Sequence, residues 1–206
     1  MTATDSAASL APPVFSGRRL TLLVTGSVNA ALVPYWLHWT KQMYPDLTVS
    51  VGVSRMAQRF VQLDALRAIS SGPVWSDSWD SFDLPEGAHI GIESESDCFG
   101  VFPATINTTM KLAAGLTDTP TIMALQLTKK PVAIASTFPG TNEILKRRCL
   151  ELEQRPNIRF TGTLPAFSVS AGDWSGTTGF FMPLLLAVLE EMRTEPRDAS
   201  VGGESK

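Results

Sequence analysis

The sequence predicts a three-layer α/β/α domain built around a parallel sheet. Short apolar runs alternate with amphipathic helical patterns along most of the chain, as in parallel sheets covered by helices on both faces. The composition is typical of a globular protein, with 44% hydrophobic and 18% charged residues among 206. That length is enough for one domain with a full core. We therefore expect a single domain over residues 18–193, between flexible tails at 1–17 and 194–206.

The first predicted strand covers residues 20–25 and ends in the turn Gly26-Ser27-Val28, which opens a helix running to about Met43. In this fold class a glycine turn before a helix cradles phosphate, because the helix start presents free N–H groups. A single glycine favours a mononucleotide over a dinucleotide. Pro34 is expected to kink the helix, and His38 is predicted to be a packed helix residue.

The second predicted strand covers residues 47–53 and leads through Ser54 and Arg55 into a helix with Phe60 on its apolar stripe. A hydroxyl and a guanidinium at a helix start make a second place for a phosphate. Residues 71–86 are rich in turn formers, and His89 follows them. Taken alone, that histidine is interpreted as structural.

The central predicted strand, 98–102, buries Cys98 and stops at Pro103. The segment Pro103-Ala104-Thr105-Ile106-Asn107 then enters a helix, an arrangement that holds ligands beyond the carboxyl ends of parallel strands. The Asn107 amide can donate and accept hydrogen bonds there. The alternative is that Asn107 and Thr108 only cap the helix, which the segment alone favours.

Later elements continue the alternation. Asp118 is predicted to cap a helix beginning near Pro120, because aspartate is a preferred N-cap residue. A strand at 131–135, a helix at 142–153 and a short strand at 157–160 follow. The glycine-rich stretch 170–179, which contains Asp173-Trp174-Ser175-Gly176, is predicted to be a mobile substrate lid before a final helix at 181–192.

Charge and composition exclude several function classes. The formal net charge is −3 and no basic run is present, which argues against a nucleic-acid partner. The longest apolar run, 182–189, is too short to span a bilayer, and the N-terminus lacks the pattern of a signal peptide. We therefore expect a cytoplasmic protein. Two cysteines and two histidines stand at no metal-ligand spacing, so no metal site is predicted.

Over roughly residues 19–190 the chain resembles the homo-oligomeric flavin-containing cysteine decarboxylases. Pro103 to Thr108 is similar to the Pro-Ala-Ser-Ala-Asn-Thr segment of the members that act on peptides, and His89-Ile90 corresponds to the family's His-Ile dipeptide. Other matching positions are Gly26, Ser27, Ser54, Ala57, Phe60, Lys111, Gly115 and Asp118. The His-Ile dipeptide and the asparagine segment at this separation are the specific part of the resemblance.

The resemblance implies a flavodoxin-like Rossmann fold, bound FMN, and trimers or dodecamers with sites at subunit contacts. Among members of this family it points to the peptidyl-cysteine decarboxylases of lanthipeptide-type biosynthesis, whose substrate is a precursor peptide ending in cysteine. His89 is the implied catalytic base, and Asn107 binds the substrate carboxylate. The implied FMN-binding residues are Gly26, Ser27, Val28, Ser54, Phe60, Pro103, Ala104, Thr105 and Asn107.

The implied reaction accounts for these residue types. The C-terminal cysteine gives its thiol proton to His89 and a hydride from its β-carbon to FMN. The resulting thioaldehyde lets CO2 leave and an enethiol remains, which feeds a ring of the aminovinyl-cysteine type. Imidazole suits the thiol because it is the side chain best able to exchange a proton near neutral pH, while the flavin carries the redox chemistry.

Two departures separate the chain from the phosphopantothenoylcysteine decarboxylases of coenzyme A biosynthesis, which remain an alternative. The family's Pro-x-Met-Asn segment is altered here, at 136–139 or 139–142, and no cysteine stands between Thr161 and Met192 to reduce the enethiol. A flavin prenyltransferase and a non-catalytic flavin-binding regulatory module are further alternatives. The presence of both His89 and Asn107 argues against the regulatory module.

Overall fold

A computed structural model describes residues 12–83, 85–138, 142–168 and 171–195. It contains a six-stranded parallel sheet in the order β3-β2-β1-β4-β5-β6 with helices on both faces. The predicted α/β/α architecture is therefore confirmed. The strands of this sheet are β1 (Arg19–Val24), β2 (Thr48–Val53), β3 (Val74–Ser76), β4 (Cys98–Ala104), β5 (Val132–Ser136) and β6 (Ile158–Phe160).

Seven α-helices lie in the described part of the chain. They are α1 (Val33–Met43), α2 (Leu63–Ile69), α3 (Pro85–Ser94), α4 (Ile106–Ala113), α5 (Pro120–Leu127), α6 (Glu143–Glu153) and α7 (Met182–Thr194). A separate antiparallel hairpin is formed by β7 (Leu164–Ser168) and β8 (Asp173–Thr178).

The two faces of the sheet carry separate cores. One core joins the sheet to α1, α2 and α7, where Trp36 meets Phe102 edge to face at 6.4 Å and Phe102 stacks on Phe180 at 4.2 Å. The other core joins the opposite face to α3, α4, α5 and α6. Cys98 is fully buried in β4, as predicted. Strands covered on both faces read as continuous apolar runs, which explains why β1 and β4 were evident in the sequence.

Several local predictions are wrong. Pro34 lies in the first turn of α1, where it starts the helix instead of kinking it, because a proline needs no N–H partner there. Phe60 follows a short 3-10 turn and is 43% exposed, so it lies outside the apolar stripe. The N-cap of α5 is Thr119, whose Oγ1 accepts from the Ile122 N–H, and not Asp118.

Two other regions and one histidine also differ from expectation. The predicted lid loop contains β8, which forms an antiparallel pair with β7, beginning with Leu164 opposite Thr178. The turn-rich stretch 71–86 contains the short edge strand β3. His38 is exposed, within 3.1 Å of the Gln42 amide, and is not packed.

Part of the predicted N-terminal tail packs on the domain. The Phe15 ring meets the Tyr44 ring at 6.2 Å, and the Tyr44 hydroxyl donates to the Pro13 carbonyl. The rest of that tail, 1–11, and residues 196–206 lie outside the described residues. None of the described helices has the length and apolar character needed to cross a membrane.

Candidate active site

The direction of strand addition reverses between β1 and β4, which lie side by side at the centre of the sheet. From β1 the chain adds β2 and β3 on one side, and from β4 it adds β5 and β6 on the other. The loops after β1 and β4 therefore diverge, which leaves a crevice at their carboxyl ends. All predicted phosphate-contact loops begin at this edge.

Thr25, directly after β1, joins the two central strands across this crevice. Its buried hydroxyl donates to the Pro103 carbonyl at 2.6 Å and accepts from the Thr105 N–H at 3.0 Å. The loops after β1 and β4 are therefore held at one separation by a single hydroxyl. Thr25 was not among the predicted site residues, because nothing local in the sequence marks a contact across 80 positions.

The glycine turn after β1 lies directly against the loop after β2. A Cβ atom built on Gly26 would lie 2.5 Å from the Cβ of Met56, so this close approach requires glycine. Ser27 caps the following 3-10 turn by accepting from the Asn29 N–H. The Ser54 hydroxyl accepts from the Ala57 N–H at the corresponding position after β2.

Helix α4 begins at the carboxyl end of β4. Its N-cap is Thr105, whose hydroxyl accepts from the Thr108 N–H. Asn107 does not cap the helix, so the capping alternative is wrong for it; it lies in the first turn with an exposed side chain. The N–H groups of Ile106 and Asn107 have no partner within the helix, as at any helix start, and they face an acceptor-rich ligand favourably.

Exposed apolar side chains surround this polar crevice, and we call them the apolar rim. They are Val28, Met56, Phe60 and Ile106, which are between 40% and 62% exposed. The edge therefore combines N–H and hydroxyl groups with uncovered apolar surface. That combination suits a ligand that has an anionic end and a flat aromatic part.

The comparisons with known proteins agree with this geometry. Residues 14–168 match the family described as Flavoprotein. The chain is 44% identical over 183 residues to the cypemycin cysteine dehydrogenase (decarboxylating) of Streptomyces sp, which covers 89% of this chain and 96% of the relative. The chain belongs to the flavoprotein family.

Solved structures agree with this assignment. The crystal structure of the cypemycin decarboxylase CypD superposes with a TM-score of 0.77 at 43% identity, over 88% of this chain and 97% of that one. The FMN-dependent cysteine decarboxylase TvaF from thioviridamide biosynthesis superposes with a TM-score of 0.61 at 27% identity, over 68% of this chain and 87% of that one. The expected membership of the flavin-containing cysteine decarboxylases is thus confirmed.

The crevice of this flavoprotein fits FMN on its own geometry. Hydroxyl groups and free N–H groups at the strand ends suit a phosphate, and the apolar rim suits an isoalloxazine ring. The close approach at Gly26 leaves no room for a side chain between the loops after β1 and β2. Among the described residues, no group of three or more His, Cys, Asp or Glu is placed to hold a metal ion.

In the part of the chain that the structure describes, His89 makes no hydrogen bond or ring contact with a residue of this crevice. It is in the second turn of α3, where its ring meets the Trp79 ring at 6.2 Å and 74°. A cavity of about 380 Å³ beside it is also lined by Ile90, Glu93, Leu127 and Lys129. Within the described residues, no hydrogen bond or ring contact joins His89 to Asn107. Helix α5 packs against both α3 and α4, the helices that carry these two residues.

The β7–β8 hairpin begins and ends at the carboxyl edge of the sheet. At its base, the Gly179 N–H donates to the Ser136 carbonyl at 2.7 Å, and the Gly179 carbonyl accepts from the Thr161 hydroxyl. Phe167 and Trp174 meet edge to face at 6.0 Å on the two strands. The Trp174 side chain is 73% exposed.

Residues Asp173 to Gly176, predicted as the lid, form most of β8. The Ser175 hydroxyl and N–H donate to the Asp173 carboxylate and hold the pKa of that carboxyl below its ordinary value. The altered Pro-x-Met-Asn segment falls partly on 139–141, outside the described residues.

Asp77 is a buried carboxyl that the sequence did not single out. It follows β3 and accepts from the Thr119 hydroxyl at 2.7 Å and from the Thr121 N–H at 2.9 Å. Burial raises the pKa of Asp77, and the hydrogen bonds from Thr121 and Thr119 offset only part of that effect. The alternation Trp75-x-Asp77-x-Trp79 was the available signal, since period-two spacing is typical of a strand.

Cys98 is chemically remote from the site. Burial raises the pKa of its thiol to about 12, which keeps it protonated and unreactive. It lies in the core strand β4 and cannot replace the cysteine that is absent between Thr161 and Met192.

Proposed function

We propose that this flavoprotein catalyses the FMN-dependent oxidative decarboxylation of the C-terminal cysteine of a ribosomally made precursor peptide. The product is an aminoenethiol that feeds a ring of the aminovinyl-cysteine type. The observation that carries this proposal is the 44% identity, over 96% of its length, to an enzyme named for decarboxylating cysteine dehydrogenation. The proposal places the reaction in the cytoplasm, where ribosomes supply the precursor.

The carboxyl-edge crevice holds FMN. Gly26, Ser27 and Ser54, with the free N–H groups at the start of α4, bind its phosphate. The apolar rim packs on the flavin ring. When bound, the flavin supplies the hydride acceptor for the cysteine β-carbon. Pro103, Ala104 and Thr105 set the position of the crevice floor through the contact with Thr25.

Asn107 and His89 handle the two ends of the reacting cysteine. The exposed Asn107 amide donates to the C-terminal carboxylate and places it above the crevice. His89 accepts the thiol proton, since imidazole exchanges protons readily near neutral pH. The β7–β8 hairpin, including Asp173, Trp174, Ser175 and Gly176, closes over the peptide and excludes water.

The site is completed between copies of the chain in a homo-oligomer, either a trimer or a dodecamer built from trimers. In one copy His89 and Asn107 lie on helices that flank α5. Ile90 and Leu127, both about 60% exposed, form an uncovered apolar surface next to His89. The apolar rim is a second uncovered surface, around the crevice. Contact between these two surfaces brings the His89 of one copy to the Asn107 of the next and buries both apolar areas.

The product leaves in its oxidised form. No cysteine lies between Thr161 and Met192, so the hairpin supplies no thiol to reduce the enethiol. This distinguishes the proposal from a role in coenzyme A biosynthesis, which requires a saturated thiol product.

Mass spectrometry of synthetic peptides ending in cysteine tests the reaction, with phosphopantothenoylcysteine incubated in parallel. We expect a peptide to lose the mass of CO2 plus two hydrogen atoms. His89→Asn lowers the rate by about 10²- to 10⁴-fold and leaves the flavin bound. His38→Asn, at the exposed second histidine, is the matched control. Turnover confined to phosphopantothenoylcysteine would contradict the proposal.

Mixed oligomers test whether the site is shared between copies. His89→Asn and Asn107→Ala are each inactive alone, because each removes one half of every site. When the two variants are dissociated and reassembled together, some contacts pair an intact His89 with an intact Asn107, and part of the activity returns. If no activity returns although mixed oligomers form, both residues act within one chain.

A further inference from the structure

The segment Trp75 to Trp79 holds the junction between α4 and α5 through every second residue. The Trp75 indole N–H donates to the Thr121 hydroxyl at 3.2 Å. Asp77 accepts from Thr119 and Thr121, as described above. The Trp79 indole N–H donates to the Asp118 carbonyl at 3.0 Å. These three side chains thus bind three residues of the junction, Asp118, Thr119 and Thr121.

Trp79 is the member of this series that reaches the proposed catalytic base. One edge of its indole is fixed by the Asp118 carbonyl, and its ring meets the His89 imidazole at 6.2 Å and 74°. Asp118 is itself held by an ion pair with Lys111 of α4, the helix that carries Asn107 in its first turn. The Trp79 ring is therefore anchored to the element that presents the other proposed catalytic side chain.

The imidazole of His89 lacks the usual means of orientation. A functional histidine is commonly oriented by a hydrogen bond to one ring nitrogen. Within the described residues, Nδ1 of His89 is buried and has no hydrogen-bond partner. Edge-to-face packing on an anchored indole is the contact that the structure provides in its place.

We propose that Trp79 is a positioning residue for His89, holding the imidazole in the orientation in which Nε2 receives the thiol proton. This inference rests on the proposed function for the identity of the proton donor. The contact between Trp79 and His89 is independent of that function.

The test compares Trp79→Leu, which removes the ring, with Trp79→Phe, which keeps an aromatic ring and loses the indole N–H. We expect kcat of the FMN-loaded oligomer to fall by about a hundredfold in Trp79→Leu, with KM and flavin content unchanged, because a small misplacement of a reacting group costs that much. In Trp79→Phe the loss is below about tenfold. Trp39→Phe, at a partly buried indole that packs on Trp36 and Tyr44, is the matched control.

A spectroscopic measurement separates this inference from the proposed function. The chain has two histidines, so the ring signals of ¹³C-labelled histidine are assigned by one variant, His38→Gln. We expect the His89 ring protons to lose their ring-current shift in Trp79→Leu and to keep most of it in Trp79→Phe. This result is independent of turnover, so an inactive wild type would refute the function and leave the positioning contact standing.

The inference is overturned if the His89 signals and kcat of Trp79→Leu both match those of the wild type. It is also overturned if KM rises with kcat unchanged, because that pattern indicates a role in binding peptide. If Trp79→Leu does not assemble, Trp79→Phe decides alone: a kcat loss below about tenfold together with a partly reduced ring-current shift of His89 supports the proposal, and wild-type values for both refute it.

Discussion

Two carboxylates at opposite edges of the parallel sheet, Asp97 and Asp77, have different hydrogen-bond and charge partners. At the amino edge, Asp97 accepts the N–H groups of Arg18 and Arg19, both at 2.9 Å, and pairs with the Arg19 guanidinium. At the carboxyl edge, Asp77 accepts from a hydroxyl and one N–H and has no cationic partner among the described residues. The charged carboxylate is therefore more strongly stabilised at the amino edge than at the carboxyl edge, where the crevice lies.

The pKa directions agree with this difference. Burial acts to raise the pKa of Asp97, but the Arg18 N–H and the Arg19 side chain outweigh it and the pKa is lowered. For Asp77, burial dominates and the pKa is raised. A lowered carboxyl pKa means that the charged form stabilises the fold, and a raised one means that it costs stability.

Removing Asp97 is expected to have the largest effect on stability. Asp97→Ala leaves two backbone N–H groups without their acceptor and removes one of the two carboxylates that pair with the Arg19 guanidinium, which costs about 2–4 kcal/mol in the free energy of unfolding. Urea denaturation measures this loss, and flavin content per subunit is expected to stay at the wild-type level. Loss of flavin from the folded variant would show that the two edges are not separable.

Thr25→Val and Thr21→Val form a matched pair, because Thr21 lies in β1 and Thr25 directly follows it. The Thr25 hydroxyl joins the loops after β1 and β4, whereas the Thr21 hydroxyl lies 2.7 Å from Ser96 Oγ near the amino edge. Both threonines are buried. Each valine substitution removes a buried hydroxyl and costs about 1–3 kcal/mol.

Only Thr25→Val is expected to lose flavin, because only Thr25 sets the width of the crevice. Flavin absorbance after gel filtration, at equal protein concentration, gives the measurement. Equal flavin content in Thr25→Val and Thr21→Val would contradict a role for Thr25 in shaping the crevice.

The fold was predictable because the central strands are apolar on both faces and the helices are amphipathic. Strand β3 was missed because its three residues are only half-buried, so no apolar run marks it. The β7–β8 hairpin was missed because β8, Asp-Trp-Ser-Gly-Thr-Thr, has the composition of a loop, and its strand conformation comes from pairing with β7. Tertiary pairing overrides local preference in such segments.

The candidate site was predictable in part. Gly26 and Ser54 follow strands, and Pro103 lies at the end of β4, which runs to Ala104 instead of stopping before the proline as predicted. The carboxyl ends of parallel strands meet at one edge of the sheet, so the proximity of these residues follows from the fold. The role of Thr25 depends on contacts about 80 positions away, and the Trp79 contact with His89 depends on the path of a turn. Neither leaves a local signal.

Asp77→Asn tests the sign of the charge effect at the carboxyl edge. Because the folded pKa of Asp77 lies above its ordinary 3.8, the folded state keeps this proton after the unfolded state has released it. The contribution of Asp77 to stability therefore falls as pH rises from about 3.8 to the raised pKa, by about 1.4 kcal/mol per unit of difference.

The measurement is the difference in unfolding free energy between the wild type and Asp77→Asn across this pH range. The wild type should lose stability relative to Asp77→Asn as pH rises. Below about 3.8, the corresponding difference for Asp97→Asn should move in favour of the wild type as pH rises, since the contribution of Asp97 is full above 3.8 and is lost as pH falls through its lowered pKa. Above 3.8 the difference for Asp97→Asn should stay constant. A difference for Asp77→Asn that moves in favour of the wild type as pH rises would refute the contrast between the edges.

The smallest expected effect concerns the ion pairs at the two edges. Lys111 and Asp118 pair at the carboxyl edge with side chains 28% and 45% exposed, and Arg18 and Asp46 pair at the amino edge with side chains 69% and 82% exposed. Solvent screens both, so Asp118→Ala and Asp46→Ala each cost less than about 1 kcal/mol. The less exposed pair should cost more, and added salt should reduce both losses. If Asp118→Ala lowered the free energy of unfolding as much as Asp97→Ala, the α4–α5 junction would depend mainly on the Asp118 charge. It would then depend less on the hydrogen bonds that join Asp77 and Trp79 to this junction.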